Sequence, residues 1–236
     1  MNRACRIVDG QPPGPLRATL IAGVMLTGCT PATGSLHVST ASTLIRQVEG
    51  EDRVPVRVTI PVLATPGDAR ITVLRDGGAV SVASTPSTTL AGGVDLVDDG
   101  ATFTTTLNYE VTAAFPSGGT ARKDVVVSLV RTLLSFPTVN ARKSVDHLTF
   151  DWSVLGLEGS TFQLDITPSG GPSWSLSFGS AQSSYVWGDT ASASATGHLI
   201  FPSMLPPGQA TARMTATKGP ARRREQAISR LITFTP

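Results

Sequence analysis

The densest group of carboxylates in the chain is Asp95, Asp98 and Asp99, followed directly by Gly100. Oxygen-rich loops can hold calcium, but Asp-x-x-Asp-Asp-Gly lacks the alternating carboxylates of an EF-hand loop, and Asp-Asp-Gly is also an ordinary turn between strands. A turn is the expectation here, with a calcium site as the alternative. The densest cations, Lys218 with Arg222, Arg223 and Arg224, fall in a segment that reads as a hairpin loop, Lys218 to Glu225. Four cations on one loop create a local field that could meet anionic lipid, lipopolysaccharide or an acidic partner, although such loops also serve simply to keep sheet ends soluble. Trp174, Tyr185 and Trp187 could form a sugar-stacking platform, the last two being two residues apart and on one strand face. Against this, Trp174-x-Leu176-x-Phe178 alternates like a core strand.

Groups for nucleophilic or metal chemistry are sparse. The three histidines, His37, His147 and His198, fall in or beside expected strands with no second histidine at ligand spacing. Zinc would need convergent ligands from distant positions, and no metal or cofactor is expected. The chain has no Gly-x-Ser-x-Gly elbow, no His-Glu-x-x-His and no glycine-rich phosphate loop opening a helix.

The elements that must position these residues read as strands. Phe103, Thr105, Leu107, Tyr109, Val111, Ala113 and Phe115 share one side of a period-two pattern, with Thr104, Thr106, Asn108, Glu110 and Thr112 opposite. Pro116-Ser117-Gly118-Gly119 supplies a turn, and Lys123 to Arg131 returns with Val125, Val127 and Leu129 on one face and Val126 and Val130 on the other. Val54, Val56, Val58, Ile60 and Val62 alternate as well, and Pro55 and Pro61 place that strand at a sheet edge, since proline cannot donate to a ladder. Ile71–Leu74 and Val80–Val82 flank Asp76-Gly77-Gly78 as a second hairpin. After a junction at Thr132 to Pro137 the alternation restarts with Leu148, Phe150, Trp152 and Val154, then Phe162, Leu164 and Ile166. Ala191–Gly197 reads as a loop and Ala227–Phe234 as the final strand. Gly, Pro, Ser and Thr abound and no segment sustains a helical period, so the class is all-β.

Near the N-terminus, Arg3, Arg6 and Arg17 precede an apolar run from Ala18 to Met25, and Leu26-Thr27-Gly28-Cys29 follows. The run is short of the roughly 20 residues that a membrane-crossing helix needs, and the layout is that of a cleaved export signal. Leu26, Thr27, Gly28 and Cys29 resemble the lipobox of bacterial lipoproteins. That resemblance implies a diacylglyceryl group on the Cys29 sulfur, cleavage before Cys29 and attachment to a membrane of the bacterial cell envelope, facing periplasm or exterior. Two or three acyl chains make such an anchor lasting. The tether from Thr30 to Gly34 reaches only about 17 Å at roughly 3.4 Å per residue.

Both cysteines, Cys5 and Cys29, belong to the leader or its cleavage point, so the exported body carries no thiol for a disulfide. Arg3, Arg6, Arg17 and Asp9 account for the whole +2 formal charge, and the body beyond them is balanced, which speaks against a nucleic-acid partner. The strand density resembles immunoglobulin-like sandwiches of about 100 residues each. The expected architecture is therefore a leader over 1–28, the lipidated cysteine and tether over 29–34, and two tandem antiparallel β-sandwich domains over 35–133 and 134–236. The second resembles fibronectin type III domains through Trp152, Phe162-Gln163-Leu164 and Leu205-Pro206-Pro207-Gly208 leading into Ala210–Thr217, with Thr211 near the place where that family carries a tyrosine. The expected function is a non-catalytic binding, adhesion or assembly module, held at the membrane by its lipid, with a protein or envelope polymer as partner. An envelope hydrolase whose site is assembled from scattered residues is the alternative, and a carbohydrate-binding module the third reading.

Overall fold

A computed structural model describes residues 34–131, 135–145, 147–189, 194–197 (backbone only) and 205–236. Every regular element among them is a strand. The chain divides into Met1–Pro31 and Ala32–Pro236; the second unit is the one described.

Its N-terminal half supplies nine strands: β1 (Ser35–Val38), β2 (Ser42–Val48), β3 (Pro55–Thr65), β4 (Arg70–Arg75), β5 (Gly78–Ala79), β6 (Ala83–Pro86), β7 (Val94–Thr102), β8 (Thr106–Ala114) and β9 (Thr120–Ser128). The order β5-β4-β8-β9 makes one antiparallel sheet, while β6, β7, β3, β2 and β1 belong to another. The alternation that marks these strands is realised in burial: Val56, Val58, Ile60 and Val62 of β3 face inward, as do Leu107, Tyr109, Val111 and Ala113 of β8. Residues of both sheets meet in one hydrophobic cluster, a sandwich-like arrangement. The β4–β5 connection has Asp76 at φ 49° and Gly77 at φ 83°. Two consecutive positive φ angles are what a two-residue hairpin loop demands, and Asp-Gly meets that demand at low steric cost. The strand after it is shorter and earlier than the Val80–Val82 expected.

The C-terminal half adds β10 (Val139–Lys143), β11 (Leu148–Trp152), β12 (Thr161–Pro168), β13 (Trp174–Phe178), β14 (Ser184–Val186), β15 (Ser194–Gly197), β16 (Ala210–Lys218), β17 (Arg223–Ile228) and β18 (Ile232–Phe234). The order β10-β11-β14 forms a three-stranded sheet. Facing positions of β11, β12, β13 and β16 build a second hydrophobic cluster around Trp152, Phe162, Phe178 and Met214. Residues 194–197, expected within a loop, pair with β13 instead. The final strand is two strands: the ladder on β16 passes from Ile228 opposite Thr215 to Ile232 opposite Ala212, one residue out of step. At that irregularity the buried Ser229 hydroxyl accepts from the Met214 N–H at 3.0 Å and donates to the Arg230 carbonyl at 2.9 Å.

One sheet of eleven strands spans both hydrophobic clusters, because β17 lies parallel to β2, with Arg223 opposite Thr43 through to Ile228 opposite Val48. Its ends are fastened by Thr43 N to Arg222 O and Glu49 N to Ile228 O, each 2.9 Å. Side chains add Arg46 to Gln226 at 3.2 Å and the Arg230 N–H to Glu49 at 2.9 Å.

The expected edge position of β3 is not observed, since it pairs with β1 and β2 on one side and β7 on the other. The proline logic still holds locally. Pro55 is the first residue of the strand, and Pro61 stands opposite residues 39–41, where the ladder breaks between Val38–Val62 and Ser42–Thr59. Its missing donor falls where little ladder exists to lose. That break opens the cleft described next.

Candidate functional site

The acidic group is not a turn. Asp95, Asp98, Asp99 and Gly100 all lie within β7, and between Val56 and Val58 of β3 the partner strand runs from Ala101 to Asp98, one residue more than β3 supplies. This bulge lets both Asp98 and Ala101 face the interior and turns Asp99 outward. A buried carboxylate needs compensation. Asp98, 2% exposed, receives it from the Tyr109 hydroxyl at 2.8 Å, the Arg75 guanidinium at 2.5 Å and the Gly100 N–H at 2.9 Å. Arg75 and Tyr109 are register partners on β4 and β8, so this triad ties the opposing sheets together. Burial, reinforced by the Asp98 carboxylate, pushes the Tyr109 hydroxyl well above the ordinary tyrosine range. Asp99 pairs instead with Arg57 on the exposed face, and that hydrogen bond holds its carboxyl below the usual carboxylate range. Asp98 and Asp99 therefore do not converge on one point.

The three rings considered for sugar stacking are core residues. Trp174, Tyr185 and Trp187 are 3%, 2% and 7% exposed and join the C-terminal cluster. Trp174 meets Trp187 edge-on at 5.2 Å between centroids, and Tyr185 lies 5.3 Å from Phe178. Trp152 completes the group against Phe178 at 4.9 Å. Their faces are consumed by one another, which corrects the platform reading: large apolar area gains more from burial than from water contact.

The basic segment is only in part a loop. Arg223 and Arg224 are the first residues of β17, and Lys218 ends β16. Gly219 has φ 103°, and a Cβ there would stand 2.2 Å from the Arg223 carbonyl oxygen, so the chain turns this tightly only with glycine. The Arg223 N–H then donates to Pro220 O at 2.9 Å, and Arg222 O accepts from Thr43. Arg222 and Arg223 are thereby held against the break between β1 and β2. There they line a cleft of about 160 Å³ together with Ser39, Thr40, Ala41 and Thr43 on one side and Val125 to Ser128 of β9 on the other. Successive strand residues point to opposite faces, so four in a row can line one cleft only where it meets the strand's edge. Among the described residues β9 is the terminal strand of its sheet, paired with β8 alone.

A second depression, of about 270 Å³, lies over Asn108, Glu110, Arg122, Asp124 and Val126. Its charges are matched internally, Arg122 standing 3.0 Å from Glu110 and 3.1 Å from Asp124. His37 is an exposed residue of β1 and His147 an exposed residue before β11; His198 lies outside the described residues. Leu26, Thr27, Gly28 and Cys29 lie outside them too. Among the described residues, no group of three or more His, Cys, Asp or Glu side chains is arranged to hold a metal ion.

Sequence reasoning missed the triad's partners and the cleft. The triad left a trace, since Asp98 is in phase with Leu96 on an inward-facing strand position, and a carboxylate there calls for a cation or hydroxyl opposite. The cleft left none, because residues near 40 and 222 meet only through the pairing of β2 with β17, and residue 126 reaches them only from the edge of the other sheet.

No protein-family model and no curated protein matches the chain. Among solved structures it is similar to dimeric latent PorU from Porphyromonas gingivalis, at 12% identity and a TM-score of 0.30, with 85% of this chain and 20% of that one covered. The chain thus spans about a fifth of that protein's length, and so slight a likeness carries no argument about activity.

Proposed function

We propose that this chain is a lipid-anchored protein of the bacterial cell envelope whose folded body is a non-catalytic binding or assembly module made of two immunoglobulin-like sandwiches, the second related to fibronectin type III domains. In this reading Cys29 carries the lipid and the body stands close to the membrane, facing periplasm or exterior. The observation that carries the module reading is how the chemistry-bearing side chains are employed. The buried carboxylate Asp98 is taken up by Tyr109 and Arg75, the aromatic residues form a core, and the exposed His37 and His147 stand apart, one within β1 and the other just before β11. The pairing of β2 with β17 supports a body in which one continuous sheet carries both hydrophobic units. The test is quantitative cross-linking of the anchored protein in intact envelopes, comparing the native chain with Arg222→Ser, Arg223→Ser and Arg224→Ser combined. A discrete partner, saturable and captured in fixed stoichiometry, is the expected result. Hydrolysis of an envelope polymer or ester substrate by the purified chain would overturn the module reading.

A further inference from the structure

Arg222 and Arg223 both line the cleft between β2 and β9, at the turn that leads into β17. Arg57, Arg75, Arg122 and Arg142 each have a carboxylate partner. Among the described residues no ion pair within 4.0 Å is formed by Arg222 or Arg223, nor by Arg46, Arg53 or Arg224; what sets the first two apart is that the tight turn at Gly219 and the hydrogen bond from Thr43 hold their backbone at the cleft. Around them stand the hydroxyl-bearing residues Ser39, Thr40, Thr43 and Ser128, and the open edge of β9. The cleft's roughly 160 Å³ is well below the about 300–1,000 Å³ of a site that encloses a drug-sized molecule. It suits one small group. Forked guanidinium donors match carboxylate and phosphate alike, but the surplus of donors suits an ion with more than two acceptor oxygens.

We propose that the cleft lined by Arg222, Arg223, Ser39, Thr40, Thr43 and Ser128 is an oxyanion site that takes a phosphate group, either the free ion or the phosphodiester of a lipid headgroup. The arginines supply charge and bidentate donors, and the hydroxyls complete the coordination. Exposed guanidiniums are screened by water and salt, so binding is weak and falls with ionic strength. Such a site would give the module its ligand chemistry and rests on that reading only for the ligand's source. A titration of the cleft and a search for an envelope partner can therefore fail separately.

The experiment is a titration of inorganic phosphate into the full chain in neutral detergent micelles, followed by amide chemical shifts. Saturable shifts confined to residues 39–43, 125–128 and 222–223 are expected, with a dissociation constant on the order of 1–10 mM. Arg222→Ser with Arg223→Ser should weaken binding at least about tenfold, equivalent to about 1.4 kcal/mol. The corresponding lysine pair should recover part of the loss, and Arg142→Ser, remote and already paired, should change nothing. Acetate should bind more weakly than phosphate. Doping the micelles with phosphatidylglycerol separates the sources: displacement of phosphate from the cleft assigns it to a lipid headgroup, and unchanged phosphate binding assigns it to the free ion. Absence of saturable shifts, indifference to the serine pair, or an equal loss with Arg142→Ser would overturn the site.

Discussion

Tyr109→Phe removes one oxygen and leaves the shape of the N-terminal core intact, so it isolates the hydroxyl that reaches Asp98 at 2.8 Å. The carboxylate is 2% exposed and keeps Arg75 and the Gly100 N–H, so it loses one of three partners. A hydrogen bond to a charged group contributes about 1.5–3 kcal/mol, and we expect a loss in that range. For a folded body of this size each 1 kcal/mol moves the melting temperature by about 2–4 °C, so the midpoint should fall by roughly 3–12 °C. The assay is urea unfolding followed by two signals at once. All three tryptophans, Trp152, Trp174 and Trp187, lie in the C-terminal cluster, whereas far-ultraviolet circular dichroism reports strands of both halves. If the β2–β17 pairing couples the halves, both signals shift together; separate transitions would show that the shared sheet does not transmit stability. The pH dependence adds a check on sign. The folded-state pKa of Tyr109 is raised above its ordinary 10.0, so its contribution is present below about pH 10 and is lost as the pH rises from there toward the folded-state value. Tyr109→Phe should flatten that alkaline decline. A stability change below about 0.5 kcal/mol would refute the assignment of Tyr109 as a support of the buried carboxylate.

Asp98 and Asp99 are adjacent but should respond differently: Asp99→Asn breaks an exposed pair and should cost less than about 1 kcal/mol in denaturant melts, while Asp98→Ala, which strands Arg75 and Tyr109, should cost more than Tyr109→Phe. Trp152→Ala should cost about 3–5 kcal/mol, because the ring is 5% exposed and packs on Phe162 and Phe178; a change below about 1 kcal/mol would remove it from the core. Cys29→Ser should release the protein from the membrane fraction or leave its leader uncut, as read by fractionation and mass spectrometry. Membrane retention with a mature N-terminus at another residue would defeat the lipobox reading.

The all-β class and most strand positions were legible in the sequence because period-two alternation records which side of a strand meets the core. Val56 to Val62, Leu107 to Ala113 and Phe162 to Ile166 are buried as their spacing implies. The Asp76-Gly77 hairpin was legible for a similar reason, since its backbone angles demand those residue types. Three features were decided elsewhere. The Asp98-Asp99-Gly100 segment looks like a turn until the register against β3 shows a bulge that sends one aspartate in and its neighbour out. The central position of β3 contradicted its prolines because the strand beside it is broken opposite Pro61, and only the pairing partner reveals that. The parallel pairing of β2 with β17 joins residues about 180 positions apart, as between Arg46 and Gln226. A strand's own sequence specifies which face is apolar, but its hydrogen-bonding edges are backbone groups common to every residue. Which edge meets which, and hence where Arg222 and Arg223 come to lie, is chosen only when the whole sheet assembles.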